Sequence, residues 1–199
     1  MKTFLIISLI IITLFVIIQT YIAMASTKSE TQPYEVIRTE KDFEIRHYPS
    51  ATFATISSKA ITYKELGSSG FRKLASFIFG SNSEEKQIAM TSPVHMDIND
   101  SVSTMSFVMP SNYNETNLPK PKNSEVIIST SVDEYVAAIK FGGYASDAVI
   151  KQHSEKLEEA LKKASIGYYG HFRFLGYNAP YQFFNRKNEV IISVDWTMN

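Results

Sequence analysis

The sequence predicts an α+β domain built from two strand-helix-strand-strand repeats. Two observations lead to this fold class. Short runs in which apolar and polar residues alternate, typical of half-buried strands, outnumber the segments with helical spacing. The order strand, helix, strand, strand also occurs twice, although the two halves share no obvious residue identity. About 170 residues remain after an apolar N-terminal segment, and that length suits one domain.

Residues 1–25 predict a secretory signal peptide or a membrane anchor. An unbroken apolar run covers residues 4–18 and follows a single charge, Lys2. Ala23-Met24-Ala25 has the small-residue pattern of a signal-peptide cleavage site, whereas residues 4–24 are also long enough to cross a bilayer uncleaved. Both alternatives export the following domain. We therefore expect a secreted, periplasmic or extracytoplasmic membrane-anchored protein.

The first half of the domain follows a short polar segment. Residues 26–33 lack periodicity, which predicts a linker to a domain over residues 34–197. An amphipathic helix of about three turns is expected to have Ser68 or Ser69 as its N-cap and to end at Gly80. The predicted strands of this half cover residues 34–37, 43–48, 51–58, 87–97 and 104–110.

The second half predicts the same order of elements. A helix from about Ser146 to Ser165 carries an apolar stripe, and Gly167 marks its end. The predicted strands cover residues 125–130, 135–141, 171–177 and 189–196.

The predicted strand over residues 87–97 combines a strand pattern with residues that strands rarely hold. Pro93 cannot donate to a sheet ladder and requires an edge or a bulge. Met90 and Met96 share one face, where flexible thioethers suit either a gap in the core or the wall of an adaptable pocket. His95 is expected on the opposite face, as a partner-bonded or exposed histidine.

Composition excludes several classes of function. Lys and Arg total 20, as do Asp and Glu, so the chain has no basic field and we expect no nucleic-acid partner. The chain has no cysteine, which excludes disulfide bonds, thiolate metal sites and cysteine nucleophiles. The sequence also holds no nucleophile elbow, zinc triad or phosphate-binding glycine loop.

Five motifs occur in order along the domain, after openings at residues 34–37 and 43–48. They are Ile88-Ala89-Met90-Thr91-Ser92-Pro93-Val94, Met105-Ser106-Phe107-Val108-Met109-Pro110, Val136-Ala137-Ala138-Ile139-Lys140-Phe141-Gly142-Gly143, Tyr177-Asn178-Ala179-Pro180 and Asn185-Arg186-Lys187-Asn188-Glu189-Val190. In this order they resemble the SOUL haem-binding protein family over residues 34–196. The resemblance implies a distorted antiparallel β-barrel with two packed helices, and a crevice between helices and strand ends where a small ligand would bind.

The resemblance also implies a non-catalytic protein that binds haem or a related tetrapyrrole as a carrier, buffer or scavenger. Without cysteine, haem would be held non-covalently. It needs an apolar slot, cations for its propionates and an axial ligand such as His, Met or Tyr. The candidate cofactor-binding residues are Phe71, Met90 and Met96 as apolar wall, Arg72 and Lys73 as propionate partners, and His47 as metal ligand.

Each of these assignments has a plainer alternative. His47 lies in Arg46-His47-Tyr48, a tripeptide at which related members are thought to ligate iron, but it would otherwise be an exposed strand residue. Arg72 and Lys73, with Lys64 in the preceding turn, would equally suit the solvated face of a helix.

Two other classes of function remain open. A small-ligand hydrolase would use Glu189 with Tyr177 or Tyr181, since a desolvated carboxylate can act as an acid or base. The other class is a structural or protein-interaction module that has lost haem binding. Separately, Arg186 and Glu189 could form a structural ion pair that closes the barrel.

Overall fold

The computed structural model describes residues 2–27 and 29–196, so the predicted domain end at residue 197 lies outside the described residues. Over these residues the chain forms three α-helices and nine β-strands, which confirms the mixed α+β class. In chain order they are α1 (Lys2–Thr27), β1 (Glu35–Thr39), β2 (Glu44–Tyr48), β3 (Thr52–Ser58), α2 (Tyr63–Ile78), β4 (Val94–Asp97), β5 (Ser103–Val108), β6 (Ile127–Thr130), β7 (Glu134–Phe141), α3 (Asp147–Lys163), β8 (Tyr168–Gly176) and β9 (Asn188–Val194).

All nine strands form one antiparallel sheet in the order β1-β2-β7-β9-β8-β4-β5-β3-β6. β1 and β6 lie at opposite edges, so the sheet is open and the expected barrel closure is not confirmed. If β1 is left out, the strand order has a twofold pattern. The positions of β2, β3, β4 and β5 counted from one edge are those of β6, β7, β8 and β9 counted from the other edge. The repeat organisation itself stays a prediction, because strand order alone says nothing about the residues of the two halves. β4 and β8 pair at the centre.

The first helix of the domain, α2, begins earlier than expected. Thr62 is its N-cap, and the Thr62 hydroxyl accepts a hydrogen bond from the N–H of Glu65 at 3.2 Å. Ser68 and Ser69 lie inside the helix, where their hydroxyls donate to the Glu65 carbonyl at 3.1 and 2.8 Å. The predicted N-cap is therefore wrong, because Thr62 caps the helix nearly two turns earlier, where its side chain accepts from one of the free N–H groups of the first turn. Gly80, with φ of 112°, follows the end of the helix as expected.

The predicted strand over residues 87–97 is wrong for its first part, since only its second part joins the ladder as β4. Pro93 has no N–H to donate, and Ser92 pairs with the chain before β1 instead. The N–H of Gln32 donates to the Ser92 carbonyl, and the N–H of Ser92 donates to the Glu30 carbonyl, both at 2.8 Å. Two residues of the segment predicted as a linker, Glu30 and Gln32, therefore bond to the chain just before β4.

His95 faces away from Met96, as expected, and is buried. Its Nε2 lies 2.8 Å from Oε1 of Gln32, and its ring packs edge-on against Phe53. Burial, with a smaller effect of the Arg173 charge, lowers the pKa of His95 to about 3. This histidine is neutral at pH 7 and ties the segment before β1 to the sheet.

The two helices of the domain cover the two ends of the sheet. α2 buries Leu66, Leu74 and Phe77 against β3 and β5, and α3 buries Leu157 and Leu161 against β7 and β9. Each such side chain contributes roughly 1.5–3 kcal/mol by leaving water. The central β4 and β8 pair lies between the helices, where it forms the base of a crevice.

Candidate ligand-binding site

The crevice between α2 and α3 is a cavity of about 620 Å³, here called the central cavity. Val94, Met96 and Phe174 of β4 and β8 line it on the sheet side, and Gly67 and Phe71 line it on the α2 side. A Cβ atom added at Gly67 would meet no atom within 4 Å, so this part of the wall is open. The volume lies in the range typical of small-ligand sites.

A second cavity of about 530 Å³, here called the lateral cavity, adjoins the central one. Phe71, Val94 and Gly176 line both, so the two form one trough. The lateral cavity extends past Met90 to α1, where Tyr21 lines it.

A third cavity, the largest at about 810 Å³, lies beyond Met96 and Phe174. Its lining mixes the polar residues 99–101, Lys151 and His171 with the apolar residues Ile61, Ile98, Ile150 and Phe172. Size alone does not favour it, because a planar apolar ligand requires apolar walls on both faces.

The three residues predicted as an apolar wall lie around this trough. Phe71 stands where the central and lateral cavities meet, and its ring packs against Phe107 with centroids 5.3 Å apart. Met96 lines the central cavity and Met90 lines the lateral one. Their contact with a ligand stays a prediction.

The predicted propionate partners lie outside the trough. Arg72 is exposed, and Lys73 forms a hydrogen bond with Glu125 at 2.7 Å. Because successive helical residues are rotated by about 100°, the two residues after Phe71 face away from the sheet that Phe71 contacts. Lys64, about two turns earlier in α2, lines the central cavity instead.

Arg186, in the loop before β9, also lines the central cavity. Its Nη1 donates to the carbonyls of Ala179 and Gln182 at 2.8 and 2.7 Å, and its guanidinium lies over the ring of Tyr144 at 4.6 Å. Its Nε is buried and has no hydrogen-bond partner within residues 2–27 and 29–196. Sequence reasoning missed this role, because the loop between two strands gives no periodic pattern from which to place a side chain.

His47, the predicted metal ligand, lies on β2 and outside the three cavities. Its side chain is 25% exposed, its Nε2 lies 3.4 Å from Oδ2 of Asp133, and its ring lies 4.9 Å from that of Tyr135. β2 is separated from β8 by β7 and β9, or about 14 Å at the usual strand spacing. The structure therefore does not bring His47 together with Phe71 and Met96, and its ligation of iron stays a prediction.

Arg46 and Glu189 form a fully buried ion pair. Nη1 and Nη2 of Arg46 donate to Oε2 and Oε1 of Glu189 at 2.8 and 3.1 Å, and Nε donates to Glu44 at 2.8 Å. Burial alone would raise the pKa of Glu189, but the hydrogen bonds and charge of Arg46 outweigh it and hold the pKa below its ordinary value. The alternative pairing of Glu189 with Arg186 is wrong, because Arg46 occupies both carboxylate oxygens.

The structure joins Glu189 to one of the two tyrosines considered for a hydrolase. The Tyr177 hydroxyl donates to Oε2 of Glu189 at 2.7 Å, whereas Tyr181 is exposed. Burial raises the pKa of Tyr177, so its hydroxyl stays protonated. Glu189 is fully buried and lies outside the three cavities. A charged carboxylate with a lowered pKa and no access to a cavity is poorly suited to acid-base chemistry.

Solved structures with similar folds share little sequence with the chain. The C-terminal domain of EcmrR superposes with a TM-score of 0.57 at 8% identity, over 82% of this chain and 99% of that one. A hydrolase from Listeria innocua superposes with a TM-score of 0.55 at 9% identity, over 80% of this chain and 94% of that one. At these identities the likeness concerns the fold alone.

Sequence comparison identifies nearer relatives. Heme-binding protein 2 of Homo sapiens is 30% identical over 156 residues, which cover 74% of this chain and 76% of the relative. Heme-binding protein 1 of Xenopus laevis is 28% identical over 165 residues, which cover 78% of this chain and 86% of the relative. The model of the SOUL heme-binding protein family matches residues 29–193. The chain therefore belongs to the SOUL haem-binding protein family.

Proposed function

We propose that this protein binds haem or a related tetrapyrrole non-covalently in the trough formed by the central and lateral cavities. The names of its relatives suggest the ligand, and the trough supplies a place for it. Phe71, Met90 and Met96 would offer apolar and polarisable contacts to the two faces of a macrocycle. The two cavities, of about 620 and 530 Å³, have room for a ligand of this class.

The observation that carries the proposal is the guanidinium of Arg186, which lines the central cavity and whose buried Nε has no hydrogen-bond partner among the described residues. A propionate in the cavity would accept charge-assisted hydrogen bonds from this guanidinium. Lys64 provides a second cation in the same lining. Lys64 and Arg186 therefore replace Arg72 and Lys73 as the proposed propionate partners.

The proposed role is that of a carrier, buffer or scavenger rather than a catalyst. The carboxylate considered for hydrolysis is fixed in an ion pair, and the trough itself is lined mainly by apolar residues. We also propose that the domain acts outside the cytoplasm. Its support is α1, where Lys2–Ile22 has a mean hydropathy of 2.6 and is long enough to cross a membrane.

Titration of haemin into the full chain in lipid nanodiscs tests this proposal. The Soret band is expected to shift saturably at micromolar protein, after subtraction of empty nanodiscs. Arg186→Gln is expected to weaken binding about tenfold, the effect of losing one charge-assisted hydrogen bond. Arg72→Gln is the matched control and is expected to leave affinity unchanged. A band that does not shift saturably contradicts haem binding, and equal affinities of the two variants contradict the proposed propionate contact.

The axial ligand is tested separately through the shape of the Soret band. His47→Ala changes the spectrum if His47 ligates iron, and an unchanged spectrum removes it as a ligand. Met90→Leu and Met96→Leu provide the same test for the two thioethers in the trough, because Leu preserves side-chain volume but cannot ligate iron.

A further inference from the structure

α1 carries an apolar surface that the rest of the domain does not cover. Its large apolar side chains between Phe4 and Ile18 are 45–73% exposed. At 1.5 Å per residue, the 21 residues of Lys2–Ile22 extend about 32 Å, close to the thickness of the hydrocarbon core of a bilayer.

One polar residue near the end of this span contacts the domain. Nε2 of Gln19 donates to the carbonyl of Tyr181 at 3.3 Å, and the N–H of Phe183 donates to Oε1 of Gln19 at 3.1 Å. Phe15, one turn earlier, packs against Phe183 with ring centroids 5.9 Å apart. In an apolar medium both an amide side chain and a loop backbone need partners within the protein. This contact supplies partners to both, and cleavage after residue 25 would remove it.

The loop that receives α1 belongs to an exposed aromatic surface. Its side chains are each at least half exposed, and together they are called the aromatic rim: Phe79, Tyr144, Tyr181, Phe183 and Phe184. Phe183 links α1 to the ring of Tyr144, whose centroid lies 6.4 Å away. Arg186 stacks on Tyr144, and Lys187 lies over Tyr177 at 3.7 Å. Exposed aromatic residues beside Arg and Lys are typical of a membrane interface.

The position of Phe15 along α1 sets the depth of the rim. Phe15 lies about two turns before Ile22, the last residue of the candidate span. Its neighbour Phe183 would therefore lie about 10 Å inside that end of the span. Elements that lie in the plane of a membrane interface are typically buried by about 5–10 Å.

We propose that the aromatic rim is embedded in the bilayer interface at the C-terminal end of α1, so that the lateral cavity opens toward the lipid. The inference rests on the proposed membrane-tethered state, with α1 retained. Tyr21 and Ile22 of α1 and Tyr181 of the rim line the lateral cavity. A planar amphiphile dissolved in the membrane could therefore enter the cavity between α1 and the rim without crossing water. The bilayer is the favoured occupant of the rim, because the rim is continuous with the helix that would span it.

The test measures tryptophan depth in the full chain, reconstituted in phosphatidylcholine vesicles that contain brominated lipids. Phe183→Trp and Phe184→Trp place a probe in the rim. Val132→Trp is the matched control, because Val132 is 81% exposed and precedes β7, at the strand ends that lie farthest from the rim. The native Trp196 follows β9 at that same far end, about 20 Å from the rim, so it gives the baseline.

Bromine near the headgroup end of the acyl chain is expected to quench both rim probes at least twofold more than Val132→Trp. If the rim probes are quenched no more than Val132→Trp in chains that float with the vesicles, the inference is wrong and the haem proposal still stands. A chain that does not float, or that has lost residues 1–25, overturns both the tether and the embedded rim. Haemin titration decides ligand binding independently of either result.

Discussion

Replacement of Glu189 by glutamine is expected to destabilise the domain by about 3 kcal/mol. Both members of the Arg46 and Glu189 pair are fully buried, and removal of one partner from a buried pair typically costs about 3–5 kcal/mol. Glu44 still accepts a hydrogen bond from Nε of Arg46 at 2.8 Å. Because Arg46 therefore keeps one carboxylate partner, we expect a cost at the lower end of this range. An amide cannot replace the carboxylate here. Oε2 accepts from both Arg46 and Tyr177, and Oε1 accepts from Arg46 and lies 3.3 Å from Nζ of Lys187, so an NH₂ group at either position faces donors.

Thermal unfolding of the full chain in detergent micelles, followed by circular dichroism, measures this cost. For a domain of this size, about 3 kcal/mol corresponds to a midpoint lowered by about 6–12 °C. Glu125→Gln breaks the exposed pair with Lys73 and is the control, expected to leave the midpoint unchanged. Equal midpoints for Glu189→Gln and Glu125→Gln would refute the reasoning. Any hydrolytic turnover retained by a folded Glu189→Gln protein would also eliminate Glu189 as a catalytic base.

The same pair predicts a pH dependence with a definite sign. The pKa of Glu189 in the folded chain lies below its value of 4.5 in the unfolded chain. The stabilisation is therefore complete above pH 4.5 and is lost as the pH falls through the lower folded value. The stability difference between the natural chain and Glu189→Gln is expected to be constant from pH 5 to 7 and to shrink below about pH 4. A difference that does not change on acidification would contradict the assignment.

Two further predictions concern the core. His95 has a pKa of 6.5 when unfolded and about 3 when folded, so acidification from pH 6.5 is expected to destabilise the chain by up to about 1.4 kcal/mol per pH unit. Urea unfolding at a series of pH values measures how the free energy of unfolding changes with pH. His95→Gln should reduce this change, whereas the exposed His171→Gln should not. Equal changes for the two variants would contradict the prediction. Gly70→Ala places a Cβ 3.0 Å from Ile56 Cδ1 and is expected to cost about 1 kcal/mol net of helix propensity. Gly67→Ala, with open space around the new Cβ, should stabilise the domain by up to about 1 kcal/mol. A lower unfolding midpoint for Gly67→Ala than for Gly70→Ala would contradict the packing argument.

Element types could be predicted from the sequence because they depend on local periodicity. The helix from about Ser146 to Ser165 closely matches α3, whose Ser146 N-cap accepts from the N–H of Val149. The strand predicted over residues 87–97 is wrong in its first part, because alternation along the chain does not reveal which segments pair with it. Ser92 bonds to the segment before β1, and a contact across about 60 residues leaves no local pattern.

The candidate site was predictable only in part, for the same reason. Phe71 and Met96 lie on the inward faces of their elements, so periodicity alone placed them toward the crevice. The charged residues could not be assigned in this way. Arg46 and Glu189 lie on different strands and pair only when the sheet forms, and Arg186 reaches the cavity from an irregular loop.

The central claim is that the ligand lies in the trough beside α2, and one pair of variants tests it most directly. Gly67 lines the central cavity with open space around it, and Ser69 lies exposed on the same helix. Gly67→Phe is expected to fill the cavity and weaken haemin binding at least tenfold, whereas Ser69→Phe should bind with the natural affinity. Undiminished binding by a folded Gly67→Phe protein would contradict the account.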